Sequence, residues 1–397
     1  MKKTSKVLLH LSLVQGVGSA SVFKLLKSIQ TNSSAEKVEE FVFEEKNLDD
    51  LYSYSEQDFC RLGIQTKTAQ SLFTYLRDTS QLEEEIKLIE KYKIDLITIL
   101  DEDYPKILKQ IHTPPTVLYC RGAKLNSFKK NIAIVGARKA GNYAKAVSDH
   151  LVKGLVDHGW NTISGGAIGV DAMVHKATLA AGGKTVAVLG SGLMEPYPLK
   201  NKELFRDIIK SGGVVVSSFP LKMLPLKENF PARNRIIAGL GRGCLLVQAA
   251  QKSGARITAQ FALEEGKVVF AVPGLVCDEL SVGCHELIKE GAKLTSSLQD
   301  ILEEFGETVV HEEEFVEDVE IAANVSSSKK SKEEKTKKRI IKFDDPILRA
   351  LDDSMSLDEL GGVVDMDMVE LQGKLFELQL EGKVKQNFAG SWERTIH

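Results

Sequence analysis

The fold is decided by residues 131–141, which read Asn-Ile-Ala-Ile-Val-Gly-Ala-Arg-Lys-Ala-Gly. An apolar run rich in β-branched residues ends there in a glycine-bounded loop with two adjacent cations, Arg138 and Lys139, and a helical pattern follows over 143–156. A strand, a glycine loop and a helix in this order open a parallel α/β sheet, whose ligands bind beyond the carboxyl ends of the strands. The arginine predicts an anionic ligand, because a guanidinium group matches phosphate oxygens.

Composition restricts the class of protein. With 397 residues, 43% hydrophobic and 27% charged, the chain has globular values and is long enough for roughly two to four domains. The net charge of −3 gives no overall basic signal, so a nucleic-acid surface has to be local. The five cysteines are scattered without a Cys-x-x-Cys pair, which favours a cytoplasmic location and no metal site. No apolar run approaches the roughly 20 residues of a membrane span, and polar residues interrupt the basic opening, so neither a membrane segment nor a signal peptide is expected.

Four zones follow one another along the chain. We expect a helical domain over 1–80, a domain of strand–helix alternation over 81–305, a charged flexible linker over 306–342 and a small domain over 343–397. The linker is expected because an acidic block over Glu312–Glu320, a serine run and a lysine-rich run contain few large apolar groups.

The central zone predicts a doubly wound parallel sheet. Its strand candidates are near-continuous apolar runs, as expected for strands that helices cover on both faces: 132–135, 161–164, 185–189, 214–217, 244–247 and 268–272. Helical patterns lie between them at 143–157, 170–181, 201–210, 232–240, 256–265 and 283–290, and this alternation is typical of an extended Rossmann-like α/β fold. A lead-in helix over 82–91 and a strand over 94–100 are expected to extend the sheet, ahead of a further apolar stretch at 117–120.

Two familiar phosphate-binding motifs are missing from this zone. Gly136 and Gly141 have the spacing of the nucleotide-hydrolase loop, but Asn142 and Tyr143 stand where that loop needs lysine and a hydroxyl residue. The dinucleotide fingerprint needs Gly-x-Gly-x-x-Gly and an acid after the second strand, whereas that strand ends in Ser164-Gly165-Gly166. No nucleotide cofactor is therefore expected.

The predicted strand ends share small residues and positive charge instead. Small residues let a phosphate approach the backbone and the free amides at the start of a helix. Cations from several loops around one aromatic ring suit a phosphodiester chain with a base stacked on that ring. The predicted contact residues are Gly136, Arg138, Lys139, Ser164, Gly165, Gly166, Lys227, Phe230, Arg233, Asn234, Arg235, Ser253, Gly254, Arg256 and Thr258.

These residues also have plain structural explanations. The glycines could form tight turns, Phe230 could plug its loop against the sheet, and Arg233 and Arg235 could be solvated residues in the first turn of a helix. Asp171 and His175 lie four residues apart on one predicted helix face and could exchange protons. No nucleophile motif or carboxylate pair accompanies them, so no catalytic residue is predicted.

Several motifs occur in a fixed order over roughly 100–295 of the chain. They are Ala133–Arg138, Ser164–Ala172 with His175, Tyr197-Pro198, Phe230–Leu240, Ser253–Ala255 with Thr258-Ala259, Val272–Gly274 and Leu287–Ala292. This set resembles the DNA-processing protein A family (DprA, also called Smf). The chain departs from the family pattern at Gly166, and at Ser218 and Gln248, where the family has acids.

The resemblance implies a non-enzymatic role: binding of single-stranded DNA, protection of incoming DNA, homodimerisation and loading of the general recombinase in natural transformation. It implies that backbone and base are held by Arg138, Lys227, Phe230, Arg233 and Asn234. It places the dimer contact near Leu287, Ile288 and Leu294.

A rival hypothesis from another class is an enzyme of the related nucleoside-monophosphate glycosidase type. Such an enzyme needs a catalytic glutamate beside a Pro-Gly-Gly loop. In this sequence Pro273-Gly274 is followed by Leu275, which speaks against that reaction.

The flanking zones agree with a DNA-related protein. Leu11–Ala20 resembles a helix-hairpin-helix, in which a Gly-x-Gly hairpin presents backbone amides to DNA phosphates, although an inert helical adaptor explains it equally well. The last zone resembles a winged helix: a capped helix begins at Ser356, an amphipathic one covers 369–380, and a short hairpin follows. Since the second helix carries Glu370, Glu377 and little positive charge, contact with protein is expected at least as much as recognition of a duplex.

Overall fold

The computed structural model describes residues 1–31, 48–308, 345–351, 355–364, 366–381, 383–386 and 391–394. The chain forms two compact units, residues 1–313 and 314–397. Most of the predicted linker, including its acidic and lysine-rich runs, lies outside the described residues.

A sheet of nine strands forms the centre of the first unit. Its order is β1-β2-β6-β5-β4-β3-β7-β8-β9. The strands are β1 Asp95–Thr98, β2 Val117–Gly122, β3 Asn131–Val135, β4 Asn161–Ser164, β5 Thr185–Leu189, β6 Val214–Ser217, β7 Gly243–Leu246, β8 Val268–Ala271 and β9 Lys293–Leu294. The chain moves from β3 towards β6 on one side and then resumes at β7 on the other side of β3, so the order of the strands reverses between β3 and β7.

The predicted alternation of strands and helices is confirmed, and the bounds of the elements differ from the predicted ones by at most three residues. The helices of the sheet region are α5 Ser80–Tyr92, α6 Lys106–Lys109, α7 Asn142–Asp157, α8 Val170–Ala180, α9 Lys202–Lys210, α10 Asn229–Leu240, α11 Gly254–Glu264, α12 Val282–Lys289 and α13 Leu298–Glu304. Within the described residues, four α-helices precede them: α1 Lys3–Leu13, α2 Ser19–Thr31, α3 Glu56–Arg61 and α4 Thr66–Tyr75. The largest shift is at α10, which begins at Asn229 rather than at 232.

The expectation of an all-parallel sheet is wrong at one end. Strands β3 to β9 pair in parallel where they are neighbours, but β2 runs antiparallel to both β1 and β6. A parallel neighbour needs a crossover long enough to return the chain along the strand, usually through a helix of several turns. The helix between β1 and β2 has only four residues, Lys106–Lys109, so the chain enters β2 from the opposite end.

Both faces of the sheet are buried, because successive residues of each strand point to opposite sides. On β3, Ile132 and Ile134 pack with α7, α8 and α13, whereas Ala133 and Val135 belong to the core on the other face, with α10 and α11. This two-sided burial is the reason that the strands read as continuous apolar runs in the sequence.

The helices before residue 80 share their core with the sheet. Leu8 and Leu9 of α1 and Leu72 of α4 belong to the same buried cluster as Leu118 of β2 and Val216 of β6. Residues 1–313 accordingly form one compact unit. The division of the chain at residue 80 stays a prediction from sequence.

The second unit contains three helices and a pair of antiparallel strands among its described residues. They are α14 Pro346–Ala350, α15 Leu357–Val363, α16 Met368–Leu380 and the antiparallel pair β10 Val384–Gln386 and β11 Trp392–Arg394. A separate core forms around Leu360, Leu371 and Leu375. The assignment to winged helices stays a prediction. In the described part of the chain, no helix is both long and apolar enough to cross a membrane.

Candidate nucleic-acid interface

A pocket of about 850 Å³ opens at the carboxyl ends of β3 and β7, where the strand order reverses. Open α/β sheets bind ligands at this position, because the connections on either side turn away from each other and leave a crevice. We call it the strand-end pocket. Ten of the predicted contact residues line it: Gly136, Arg138, Lys139, Lys227, Phe230, Arg233, Asn234, Ser253, Gly254 and Thr258.

The loop after β3 is held against two neighbouring connections. The Ala137 amide donates to the Gln248 carbonyl at 2.7 Å, and the Val170 amide donates to the Ala137 carbonyl at 3.1 Å. Gly169 has φ +84°, and a Cβ there would lie 2.2 Å from the Ala137 oxygen. Only glycine permits this approach, and the result is a fixed position for the two cations that follow.

Three exposed cations reach the strand-end pocket from two connections: Arg138 and Lys139 after β3, and Lys227 before α10. None of the three forms an ion pair or a hydrogen bond with another described residue. The lining contains a single acid, Asp171, which is buried. Since unpaired cations outnumber accessible acids, the pocket presents a local positive field in a chain of negative net charge.

The Phe230 ring lies near two arginines and a tyrosine. Its centroid is 5.7 Å from the Arg138 guanidinium carbon, 5.9 Å from that of Arg233 and 5.8 Å from the Tyr197 ring. Phe230 also packs on Gly190, where a Cβ would lie 2.8 Å from the ring. One side of the ring therefore packs against the sheet, and part of the ring stays exposed. This position is compatible both with a plug of the loop and with a surface on which a base stacks.

One structural explanation made Arg233 a solvated residue in the first turn of a helix, and the structure contradicts it. It is only 4% exposed, and its Nη1 donates to the carbonyls of Gly165 and Val188 at the ends of β4 and β5. Burial lowers its pKa to about 10, while Asp171 acts in the opposite direction. A Cβ at Gly165 would lie 2.5 Å from Nη1, so the guanidinium fits only beside glycine. The group fixes the strand ends rather than presenting a free charge.

Asp171 and His175 have structural partners. Burial raises the pKa of Asp171, partly offset by Arg233, and its Oδ2 accepts from the Ala167 amide at 3.2 Å. Burial, followed by Arg233, lowers the pKa of His175 to about 3, and its Nδ1 lies 2.8 Å from the Thr185 hydroxyl. His175 is therefore neutral near pH 7 and enclosed, which removes the charge change that proton exchange with a ligand requires.

Five predicted contact residues lie outside the strand-end pocket. The Ser164 hydroxyl donates to the Ile134 carbonyl at 2.7 Å, Gly165 accepts from Arg233, and Gly166 turns the chain with φ +65°. Arg235 lies on another side of α10, 4.9 Å from the Phe261 ring. Arg256 pairs with Glu286 and with Glu290, the latter at 3.3 Å. The expectation that these two arginines join the cations of the strand-end pocket is wrong, because Arg235 points to another side of α10 and Arg256 is neutralised by two glutamates.

The residues predicted for a dimer contact differ in exposure. Leu287 is 2% exposed and belongs to the core, whereas Ile288 is half-buried. Leu294 is 48% exposed on β9, the last strand of the sheet. Only part of this set is available to a second subunit.

An exposed aromatic residue of the pocket was absent from the predicted contact set. Tyr197 is 46% exposed, lines the pocket and lies beside Phe230. Its signal in the sequence is an aromatic residue in the connection after β5, close to the same sheet edge.

Comparisons with known proteins agree with this architecture. The family described as "DNA recombination-mediator protein A" matches residues 95–306. This chain belongs to that family. A DNA processing protein DprA from Streptococcus pneumoniae is 40% identical over 289 residues, which cover 72% of this chain and 97% of the relative. Another DprA, from Bacillus subtilis, is 42% identical over 54% of this chain and 72% of its own length.

The Streptococcus pneumoniae protein also has a solved structure, and its fold is similar to that of this chain. The X-ray structure of the Streptococcus pneumoniae protein covers 77% of this chain and 98% of its own, with a TM-score of 0.61 and 34% identity. The family places the chain among DNA-processing, recombination-related proteins. The resemblance inferred from the motifs is thus confirmed.

Replacing Arg233 by methionine should lower the free energy of unfolding by about 3–5 kcal/mol, because Asp171 and two carbonyls lose their buried partner. Urea denaturation measures the change. Arg138→Met is the matched control and should alter stability by no more than about 0.5 kcal/mol, since that side chain is exposed. Adding Asp171→Asn to Arg233→Met should recover part of the loss. Equal effects of the two arginine substitutions would contradict this role.

Acid should destabilise the protein partly through His175. The pKa of this residue is 6.5 in its unperturbed form and about 3 in the folded chain. Below pH 6.5 the unfolded chain takes up a proton that the folded chain excludes. The free energy of unfolding therefore decreases as the pH is lowered, by up to about 1.4 kcal/mol per pH unit. Unfolding titrations between pH 7 and 5 should show a flatter decline for His175→Gln. An unchanged slope would show that His175 does not carry the effect.

Proposed function

We propose that this protein binds single-stranded DNA in the strand-end pocket and acts as a cytoplasmic, homodimeric recombination mediator. It would protect incoming DNA and load the general recombinase onto it during natural transformation. No catalytic step and no cofactor enter this proposal.

One observation carries it: three exposed cations without an ion pair line the same pocket as a partly exposed aromatic ring, and one of them, Arg138, lies 5.7 Å from that ring. The cations suit the phosphates of a polynucleotide, and the ring offers a surface for a base. A duplex hides the faces of its bases within the stack, whereas an unpaired strand presents them. The pocket of about 850 Å³ exceeds what one small phosphate needs, which favours a chain of nucleotides.

The affinity for an oligothymidylate should fall steeply with salt, because binding releases counterions from the phosphates. Arg138→Ala should weaken binding and reduce the slope of log affinity against log salt by about 0.7, the value for one lost contact to a single strand. Phe230→Ala should cost about 1–3 kcal/mol of binding free energy if a base stacks on the ring. Fluorescence anisotropy over a salt series measures both quantities.

Arg256→Ala is the control for these variants, because its charge is already neutralised by Glu286 and Glu290 outside the pocket. It should leave the affinity unchanged. Salt-independent binding, or an Arg138→Ala variant that binds like the wild type, would contradict the DNA site. The mediator role further requires that the wild type, and not Arg138→Ala, accelerate recombinase filament formation on a coated single strand.

For the homodimer, we propose a contact centred on Leu294. This leucine is 48% exposed on the edge strand β9, and edge strands offer unpaired backbone groups as well as side chains to a second copy. Ile288 would add to the contact, whereas the buried Leu287 would support it from the core.

Leu294→Glu should shift the protein from dimer to monomer, because a charge would be buried without a partner at the interface. Light scattering after size exclusion measures the mass. Leu263→Glu introduces the same charge at a leucine that is 40% exposed on α11, and it should leave the mass unchanged. A wild type that is monomeric at every concentration would refute the dimer.

A further inference from the structure

A second pocket, of about 650 Å³, lies between the turn that joins α1 to α2 and the side of α10 that faces away from the strand-end pocket. We call it the hairpin pocket. Both walls belong to the compact unit 1–313. Its lining includes Gly16, Gly18, Ser19, Phe219 and Arg235.

The two pockets share one helix as their common wall. Phe230, Arg233 and Asn234 line the strand-end pocket, whereas Asn229, Ala232 and Arg235 line the hairpin pocket. The two pockets thus lie on two different faces of α10. Because a helix with its side chains is roughly 10 Å across, a flexible chain of a few nucleotides can pass from one pocket to the other.

The ridge between the pockets is accessible. Pro231, which lines the first pocket, and Ala232, which lines the second, are consecutive and both exposed. Neither side chain can form a salt bridge across the ridge. At Pro231 and Ala232 the surface between the two pockets is therefore open to a ligand.

The turn between α1 and α2 supplies backbone donors to the hairpin pocket. In the described part of the chain, the amides of Gly18, Ser19 and Ala20 donate to no acceptor. Gly16 has φ +78°, and no atom lies within 4 Å of the position that a Cβ would take at Gly16 or at Gly18. The backbone is thus open on this side, as contact with a phosphate oxygen requires.

Arg235 supplies the charge. Its guanidinium lies 4.9 Å from the centre of the Phe261 ring, and it forms no ion pair or hydrogen bond with a described residue. No aspartate or glutamate is among the lining residues of the hairpin pocket. A free guanidinium and free amides without an opposing acid favour an anionic ligand. The half-buried Phe219 and the surrounding aliphatic residues suit the sugar and base of that ligand.

We propose that the hairpin pocket is a second subsite for the same single strand, which continues from Phe230 over Pro231 and Ala232 towards Arg235 and the amides of Gly18 to Ala20. This inference rests on the proposed DNA-binding function of the strand-end pocket. It also gives the turn between α1 and α2 a role: its amides hold phosphates of an unpaired strand rather than of a duplex.

Oligonucleotide length separates the two subsites. An oligothymidylate of about 6 nucleotides should occupy the strand-end pocket alone, whereas one of about 20 should reach both pockets. Two variants of the full chain address the second pocket: Arg235→Gln removes its charge, and Gly18→Asp adds a carboxylate where the Cβ meets no atom. Gly362→Asp is the matched control, since Gly362 is equally open and lies in the other compact unit.

Both variants should weaken binding of the long oligonucleotide about tenfold, the effect of one lost charge-assisted contact, and leave the short one unchanged. Gly362→Asp should change neither affinity, and thermal unfolding of each variant should match the wild type. Unaltered binding of the long strand, or equal losses for both lengths, would overturn the second subsite while the strand-end pocket stands. A wild type that binds neither oligonucleotide would overturn the proposed function itself.

Discussion

The buried guanidinium of Arg233 is the constraint on which the rest of the site depends. It joins four elements: α10, from which it comes, the carbonyl ends of β4 and β5, and Asp171 in the first turn of α8. A charge enclosed to this degree is tolerated only when its donors find acceptors and an opposite charge lies near. The glycine at position 165 and the acid at 171 are thus consequences of the same buried group.

This constraint divides the cations of the sheet edge into two kinds. Arg233 holds the strand ends together and lies 5.9 Å from the centre of the Phe230 ring, while the exposed side chains of Arg138, Lys139 and Lys227 form no ion pair or hydrogen bond with a described residue. Fixing the loops in advance means that a bound strand does not have to order them, which reduces the entropic cost of binding. The same helix, α10, also separates the strand-end pocket from the hairpin pocket, so its position determines the path available to a polynucleotide.

Much of the architecture could be predicted from the sequence, because its signals are local. Strands covered on both faces read as uninterrupted apolar runs, and β4, β5 and β6 begin and end where those runs do. The antiparallel direction of β2 left no such signal, since direction depends on how the short α6 returns the chain. The early start of α10 at Asn229 was also missed: a proline usually marks a helix boundary, whereas Pro231 lies in the first turn of this helix, where its missing N–H is tolerated.

The sequence by itself determined the alternating elements, the glycine loops at the strand ends, the presence of cations and an aromatic ring near them, and the family to which these motifs belong. Only the tertiary structure decided which cations are free. Arg138, Arg233, Arg235 and Arg256 look alike in the chain, yet one is exposed in the pocket, one is buried, one lies on an aromatic ring and one is neutralised by glutamates. The physical reason is that a side chain's charge becomes available or engaged through neighbours distant in sequence, such as Asp171, Phe261 and Glu286.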